Sequence, residues 1–267
     1  ENLLKKLGNP HANLPPTIHI AGTNGKGSTL SFIKNILESN GYKIHAYTSP
    51  HLEKFNERII INNKQVNPNR LLRSLEYVKK INNNKPITFF EITTAAALVL
   101  FSKYKADFLI LETGLGGRLD ATNVVPNKII SIITAIGMDH EEFLGNTLKK
   151  ITKEKLGIIK NTKNIIIAKQ KKEVNDHITK KLKNKRNVFY FNKNFGFKLI
   201  DKDKFLYKFD NIKKIFNNPS LQGKHQIENA STAITSALIL KKNNYNIRLN
   251  LLGKNIYNTK WPGRIEK

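Results

Sequence analysis

The segment Gly22-Thr23-Asn24-Gly25-Lys26-Gly27-Ser28-Thr29 constrains this chain more than any other part of it. A short apolar run, Thr17 to Ala21, precedes it. After it, Leu30, Ile33, Ile36 and Leu37 fall at helical spacing until Asn40-Gly41 ends the pattern. Strand, glycine-rich turn and helix form the opening unit of an α/β nucleotide-binding fold. Such a turn aims backbone N–H groups and a helix N-terminus at phosphate oxygens. Lys26 adds a mobile positive charge for the outer phosphates, and Ser28 or Thr29 a hydroxyl for phosphate or Mg2+. The spacing departs from G-x-x-x-x-G-K-[ST], because two residues separate the first glycines and Gly27 follows the lysine. A tight turn with a surface lysine is the plainer reading, but the glycines, lysine and hydroxyls gathered at one helix start favour phosphate binding.

The alternation continues. Residues 91–104 read as a buried helix rich in Ala and Leu. Residues 107–112, 129–136 and 165–168 read as apolar strands of the kind found in the middle of a parallel sheet. Residues 43–47 and 187–191 are shorter and β-like, and 147–159 is a helix. Over 195–216 apolar and polar residues alternate without helical period, which predicts a small antiparallel insertion at about 190–220. A helix returns over 225–243, and Asn82-Asn83-Asn84-Lys85 is a polar loop. The expected fold is α/β, a mostly parallel sheet with helices on both faces plus that β insertion, as one domain over 1–267.

Composition narrows the partners. There are 267 residues, 39% of them hydrophobic, enough for a substantial core. With 46 Lys+Arg against 20 Asp+Glu the formal charge is +26, which by itself would suggest nucleic acid. The lysines are scattered, however, and accompany many Asn and Ile residues that share AT-rich codons. Runs such as Lys180-Lys181 and 183–186 read as solvated surface, so no nucleic-acid partner is expected. The absence of cysteine excludes disulfides, Cys-based metal sites and thiol catalysis. No run of about 18 apolar residues appears, so no membrane span and no membrane partner is expected. A cytoplasmic protein is the default reading, and a monomer is the expectation, although the sequence itself does not give the oligomeric state.

Separated blocks carry a more specific likeness. They are 19–29 (His-Ile-Ala-Gly-Thr-Asn-Gly-Lys-Gly-Ser-Thr), 47–52 with Asn56-Glu57-Arg58-Ile59, Phe90-Glu91, and 111–123 (Leu-Glu-Thr-Gly-Leu-Gly-Gly-Arg-Leu-Asp-Ala-Thr-Asn). Then come Ile136-Gly137-Met138-Asp139-His140, 154–160, 225–230 and Pro262-Gly263-Arg264. In kind and order they resemble the folylpolyglutamate synthase and dihydrofolate synthase family, a branch of the Mur ligase superfamily.

The resemblance implies an ATP-dependent ligase that joins L-glutamate to dihydropteroate or tetrahydrofolate through an acyl phosphate, with both acceptors used. It implies ATP and two Mg2+ ions. Ser49, in a loop where turn chemistry alone would also explain it, and Glu112, at the end of an apolar strand, would serve one ion. His140 would serve the second, with Asp139 able to orient it. Lys155 matches a lysine that is often carbamylated, which would make it an oxygen donor to Mg2+; otherwise it is a helix lysine paired with nearby acids. Asn229 would meet adenine and Arg264 the phosphates. Phe89, Phe90 and Glu91, with Leu119, Asp120 and Ala121, would form the pterin site, although the two phenylalanines also suit a core. Relatives continue into a C-terminal glutamate-binding domain after the Pro-Gly-Arg block, and the expectation is that this chain lacks it and cannot complete ligation alone. The alternatives are a Mur-type ligase acting on a cell-wall precursor and, further off, a basic nucleic-acid-binding NTPase.

Overall fold

Why the chain folds around its glycine turn is visible in the sheet that flanks it. The computed structural model describes residues 1–261. The strands are β1 (Thr17–Ala21), β2 (Ile44–Tyr47), β3 (Ile59–Ile61), β4 (Lys64–Gln65), β5 (Phe108–Glu112), β6 (Lys128–Ile133), β7 (Thr162–Ile167) and β8 (Val188–Tyr190), then β9 (Phe195–Leu199), β10 (Lys204–Phe209) and β11 (Ile212–Asn217). The helices are α1 (Asn2–Lys6), α2 (Lys26–Ser39), α3 (Pro68–Asn82), α4 (Phe89–Lys103), α5 (Glu141–Leu144), α6 (Leu148–Lys155), α7 (Lys172–Lys181), α8 (Lys224–Lys242) and α9 (Leu252–Tyr257).

Eight strands form one sheet in the order β4-β3-β2-β5-β1-β6-β7-β8. From β2 to β8 the neighbours run parallel, while β3 and β4 add an antiparallel edge. β9, β10 and β11 make a separate antiparallel sheet. The expected fold class therefore holds.

Alternate residues of the central strands feed opposite cores, as the two-residue period of a strand requires. Ile18, Ile20, Ile110, Ile130, Ile132 and Ile166 pack with α2, α8 and the small sheet. On the other face Tyr47, Leu109 and Leu111 lie under α3 and α4, and Ile133, Ile165 and Ile167 under α6 and α7. Burying each such side chain stabilises the fold by roughly 1.5–3 kcal/mol. Parallel pairing brings the C-terminal ends of β1, β5 and β6 to one edge, with Ile20 beside Glu112 and Ala21 beside Ile133.

Some boundaries move. The strand expected to reach residue 136 ends at Ile133, because Thr134 and Ala135 turn to meet the glycine loop. The helix expected over 147–159 is α-helical to Lys155 and finishes as a 3-10 turn, Leu156–Ile159. The antiparallel insertion spans Phe195 to Asn217. Among the described residues no helix is long and apolar enough to cross a membrane.

Candidate nucleotide and substrate site

The glycine loop leaves β1 and is held from β6. The Thr23 and Asn24 N–H groups both donate to Ala135 O (2.9 and 3.1 Å). The Thr23 hydroxyl donates to Gly137 O and accepts from Gly137 N–H, each at 3.1 Å. Gly25 starts α2 with φ 85°, a left-handed conformation that costs an L side chain energy. A Cβ there would also come within 2.4 Å of Asn229 Oδ1. Asn229 is buried, not a helix-surface amide, and donates to Gln226 Oε1 at 3.0 Å. It thus stands directly over the turn. Ser28 and Thr29 are buried behind it at the start of α2.

Charge gathers at the same edge. Lys26 Nζ lies 3.9 Å from Glu112 Oε1 and donates to Thr23 O at 3.4 Å. Glu112, only 3% exposed at the end of β5, accepts from Ser49 N–H at 3.3 Å. The fold thus brings together Lys26, Ser49 and Glu112 from the ends of three elements. A carboxylate buried at a strand end is costly unless paired, and here it has a cation and an N–H beside it.

Lys155 is buried, and its Nζ donates to Gly22 O at 2.9 Å. Burial, then the nearby Lys26 charge, lowers its pKa to about 8, with Asp139 and Asp120 acting the other way. The helix that carries it is braced on the 114–123 loop. Arg118 Nε donates to both Glu154 carboxylate oxygens (3.0 and 3.1 Å), and Asn123 Nδ2 donates to Gly157 O at 3.1 Å. His140, with φ 47° and a half-exposed ring, pairs with Asp139 at 3.5 Å. Arg264 lies outside the described residues.

Among the described residues no group of three His, Asp or Glu side chains could hold a metal by itself. Magnesium binds through one or two carboxylates plus substrate phosphates and keeps several waters. Ser49 and Glu112 offer hard oxygen atoms of the right kind, so the donor set fits the ion.

Beyond the loop, a cavity of about 340 Å3 is lined by Leu3, Leu4, Pro86, Ile87, Glu91, Ala95, Ala121 and Val124, among others. Of the residues expected at a pterin site, Glu91 and Ala121 line this cavity directly. Phe89 is 64% exposed and meets Phe55 edge to face, with centroids 5.6 Å apart. Phe90 instead packs by Tyr47, 5.8 Å between centroids. Leu119 is 79% exposed. The Glu91 carboxylate accepts from the Thr88 N–H and hydroxyl (2.9 and 2.7 Å), so it caps α4 as well as facing the cavity. Those two hydrogen bonds hold its pKa below the usual value. Asp120 is buried and accepts the N–H groups of Gly114 and Leu115, both at 2.9 Å. Burial pushes its carboxyl up, and its hydrogen bonds oppose that.

Sequence reasoning assigned no role to Thr122, Thr134 or Gln170. Gln170 Oε1 accepts from Ile136 N–H at 3.0 Å, and its amide donates to Thr134 O at 2.9 Å, fixing the strand end that carries the loop. Nothing in residue type marks this glutamine. Thr122, two residues after Asp120, had a local signal, since Asp-x-Thr commonly closes a side-chain turn.

Comparison with known proteins adds a second line of observation. The family model for the Mur ligase middle domain matches residues 20–237. The chain is 36% identical to a Bacillus subtilis dihydrofolate synthase/folylpolyglutamate synthase, over all of this chain and 64% of the relative. An FPGS–AMPPCP complex superposes with a TM-score of 0.90 at 29% identity, covering 100% of this chain and 69% of that one. E. coli FolC in complex with DHPP and ADP superposes with a TM-score of 0.86 at 29% identity, covering 98% and 61%. The chain thus spans less than two thirds of the Bacillus relative's length.

Proposed function

This chain belongs to the Mur ligase family, and on that premise we propose that it is the nucleotide-binding part of an ATP-dependent ligase joining L-glutamate to a folate-type carboxylate. The observation that carries the proposal is the meeting of Lys26, Ser49 and Glu112 at one edge of the sheet, beside the glycine turn that starts α2. The names of the relatives support the folate branch over a cell-wall ligase. The nucleotides in the titles of similar structures support ATP as the co-substrate.

In this reading the N–H groups at the start of α2 and Lys26 hold the outer phosphates of ATP, and Asn229 meets the adenine. Ser49 and Glu112 would hold magnesium, and His140 with a carbamylated Lys155 a second ion; the bound ions would supply charge neutralisation during phosphoryl transfer. The acceptor, dihydropteroate or tetrahydrofolate, lies in the cavity beside Ala121 with its carboxylate toward Glu112 and Lys26. That carboxylate displaces ADP from the γ-phosphate to give an acyl phosphate. The glutamate amino group then attacks the acyl carbon and releases inorganic phosphate. What the chain contributes is alignment and fixed charge, and no Ser or Cys nucleophile is required.

The test is calorimetric. The chain should bind AMPPCP more tightly with Mg2+ than without it. Lys26→Ala should weaken that binding about tenfold or more, as expected for loss of a charged phosphate contact, with the circular dichroism spectrum unchanged. Dihydropteroate should bind in competition with folate and not with a cell-wall nucleotide. A chain that is folded yet takes up no nucleotide ends the proposal.

A further inference from the structure

We propose that His19 and Thr122 are positioning residues: a buried hydrogen-bonded line from β1 through Thr122 fixes the Asp120 carboxylate, and with it the 114–121 loop, in the form that sets Ala121 in the wall of the substrate cavity. The inference deepens the ligase reading and rests on it for the identity of the substrate alone.

His19 sits in the middle of β1, fully buried. Its Nε2 is 2.8 Å from Thr122 Oγ1. Thr122 Oγ1 is in turn 2.5 Å from Asp120 Oδ1, which also accepts the Thr122 N–H at 2.9 Å. The other carboxylate oxygen accepts from Gly114 and Leu115. The proton positions follow from this pattern. An oxygen that already accepts one N–H is the natural acceptor for the Thr122 hydroxyl, whose single proton therefore points to Asp120. The Thr122 lone pair that remains faces His19, so His19 carries its proton on Nε2 and donates. His19 Nδ1 is then a bare acceptor, and it is buried without a hydrogen-bond partner among the described residues.

That last feature argues against packing as the reason for a histidine here. Burying an unpaired ring nitrogen is costly, and an apolar side chain at this fully buried position would bury none. The imidazole earns its place as a donor toward Thr122. One carboxylate then pins the loop at both ends, at Gly114 just after Glu112 and at Asp120 just before Ala121 in the cavity wall. Through Asp120 the edge that carries Glu112 and the wall of the acceptor cavity are mechanically one piece.

Nuclear magnetic resonance and ligand titration on the whole chain test this together. The unaltered protein should show a slowly exchanging His19 Hε2 resonance. Thr122→Val should remove it and shift the Gly114 and Leu115 amides, whereas Thr122→Ser should keep all three. Thr122→Val and His19→Leu should weaken dihydropteroate binding about tenfold, the scale of one hydrogen bond lost to a charged group, with AMPPCP affinity retained. Where a variant does not fold, Thr122→Ala and His19→Gln provide the same comparison. Unshifted loop amides with parental dihydropteroate affinity overturn the inference, and so does equal loss of both ligands, the mark of general loosening. Should the unaltered chain bind no dihydropteroate, the ligase reading falls, while the Hε2 signal and the loop amides still decide whether the line exists.

Discussion

At the scale of single residues, Gly25 leaves the least freedom. Alanine there meets both the left-handed backbone and Asn229. Gly25→Ala should lower the melting temperature by several degrees, from about 1 kcal/mol of backbone strain plus the displaced amide. Adding Asn229→Ala should restore part of that loss and not all of it; full restoration would mean that the backbone carries no strain. His19 makes a separate prediction. Burial, then the Lys128 charge, sets its folded pKa well below the ordinary 6.5. Below that pH the unfolded chain takes up a proton that the folded chain refuses. Its contribution is therefore complete above pH 6.5 and is lost as the solution becomes more acid, by up to about 1.4 kcal/mol per pH unit. Urea unfolding followed from neutral to mildly acid pH should show that slope, and His19→Leu should flatten it. The buried His45, also shifted down, leaves a residual slope in both proteins.

At the scale of elements, the capping box of α4 separates two roles for one side chain. Thr88→Ala removes an N-cap and should cost about 1 kcal/mol in chemical denaturation. Glu91→Gln preserves the box, so its stability should stay near that of the parent. If Glu91 also meets the acceptor, the same variant should bind dihydropteroate more weakly; unchanged affinity would confine Glu91 to the cap. Elements with one strong period were legible in the sequence. β1, α2, β5 and α8 fall within a residue or two of expectation, because buried strands and helices write their period in apolar residues. Two others carried signals that the apolar reading passed over. α3 opens with Asn67-Pro68, an N-cap whose side chain accepts from the Asn69 and Arg70 N–H groups, and repeats Leu71, Leu75 and Val78. β3 and β4 join through Asn62-Asn63, both at positive φ, the turn that suits a two-residue hairpin. The side chains that gather at the sheet edge were legible where a charged residue ends a strand or a glycine starts a helix, as at Glu112 and Gly25. The line through Thr122 was not, because it depends on which face of β1 meets a turn about a hundred residues later, and no local pattern encodes that.

At the scale of the whole molecule, the small antiparallel sheet is no detachable ornament. Phe195, Phe205, Tyr207, Phe209 and Phe216 share one core with β1, α2 and α8, and the Tyr207 hydroxyl lies 2.7 Å from Thr235 Oγ1 on α8. Tyr207→Phe should therefore lower the stability of the entire unit in a single transition, by about 1 kcal/mol. The net charge of +26 predicts a second global effect. Raising sodium chloride from low to near-physiological concentration should raise the melting temperature, because screening relieves the repulsion among lysines. A fall would point to ion pairs, such as Lys169 with Glu228, outweighing that repulsion. The corners tell a last story. Most non-glycine residues at positive φ are asparagines, among them Asn9, Asn83, Asn161, Asn187 and Asn244, the residue that tolerates this backbone best after glycine. A lineage whose codons drift toward asparagine can go on turning corners, and pays little for the drift at its surface. At Gly25 even asparagine finds another asparagine in the way, so the drift must halt where the nucleotide is proposed to sit.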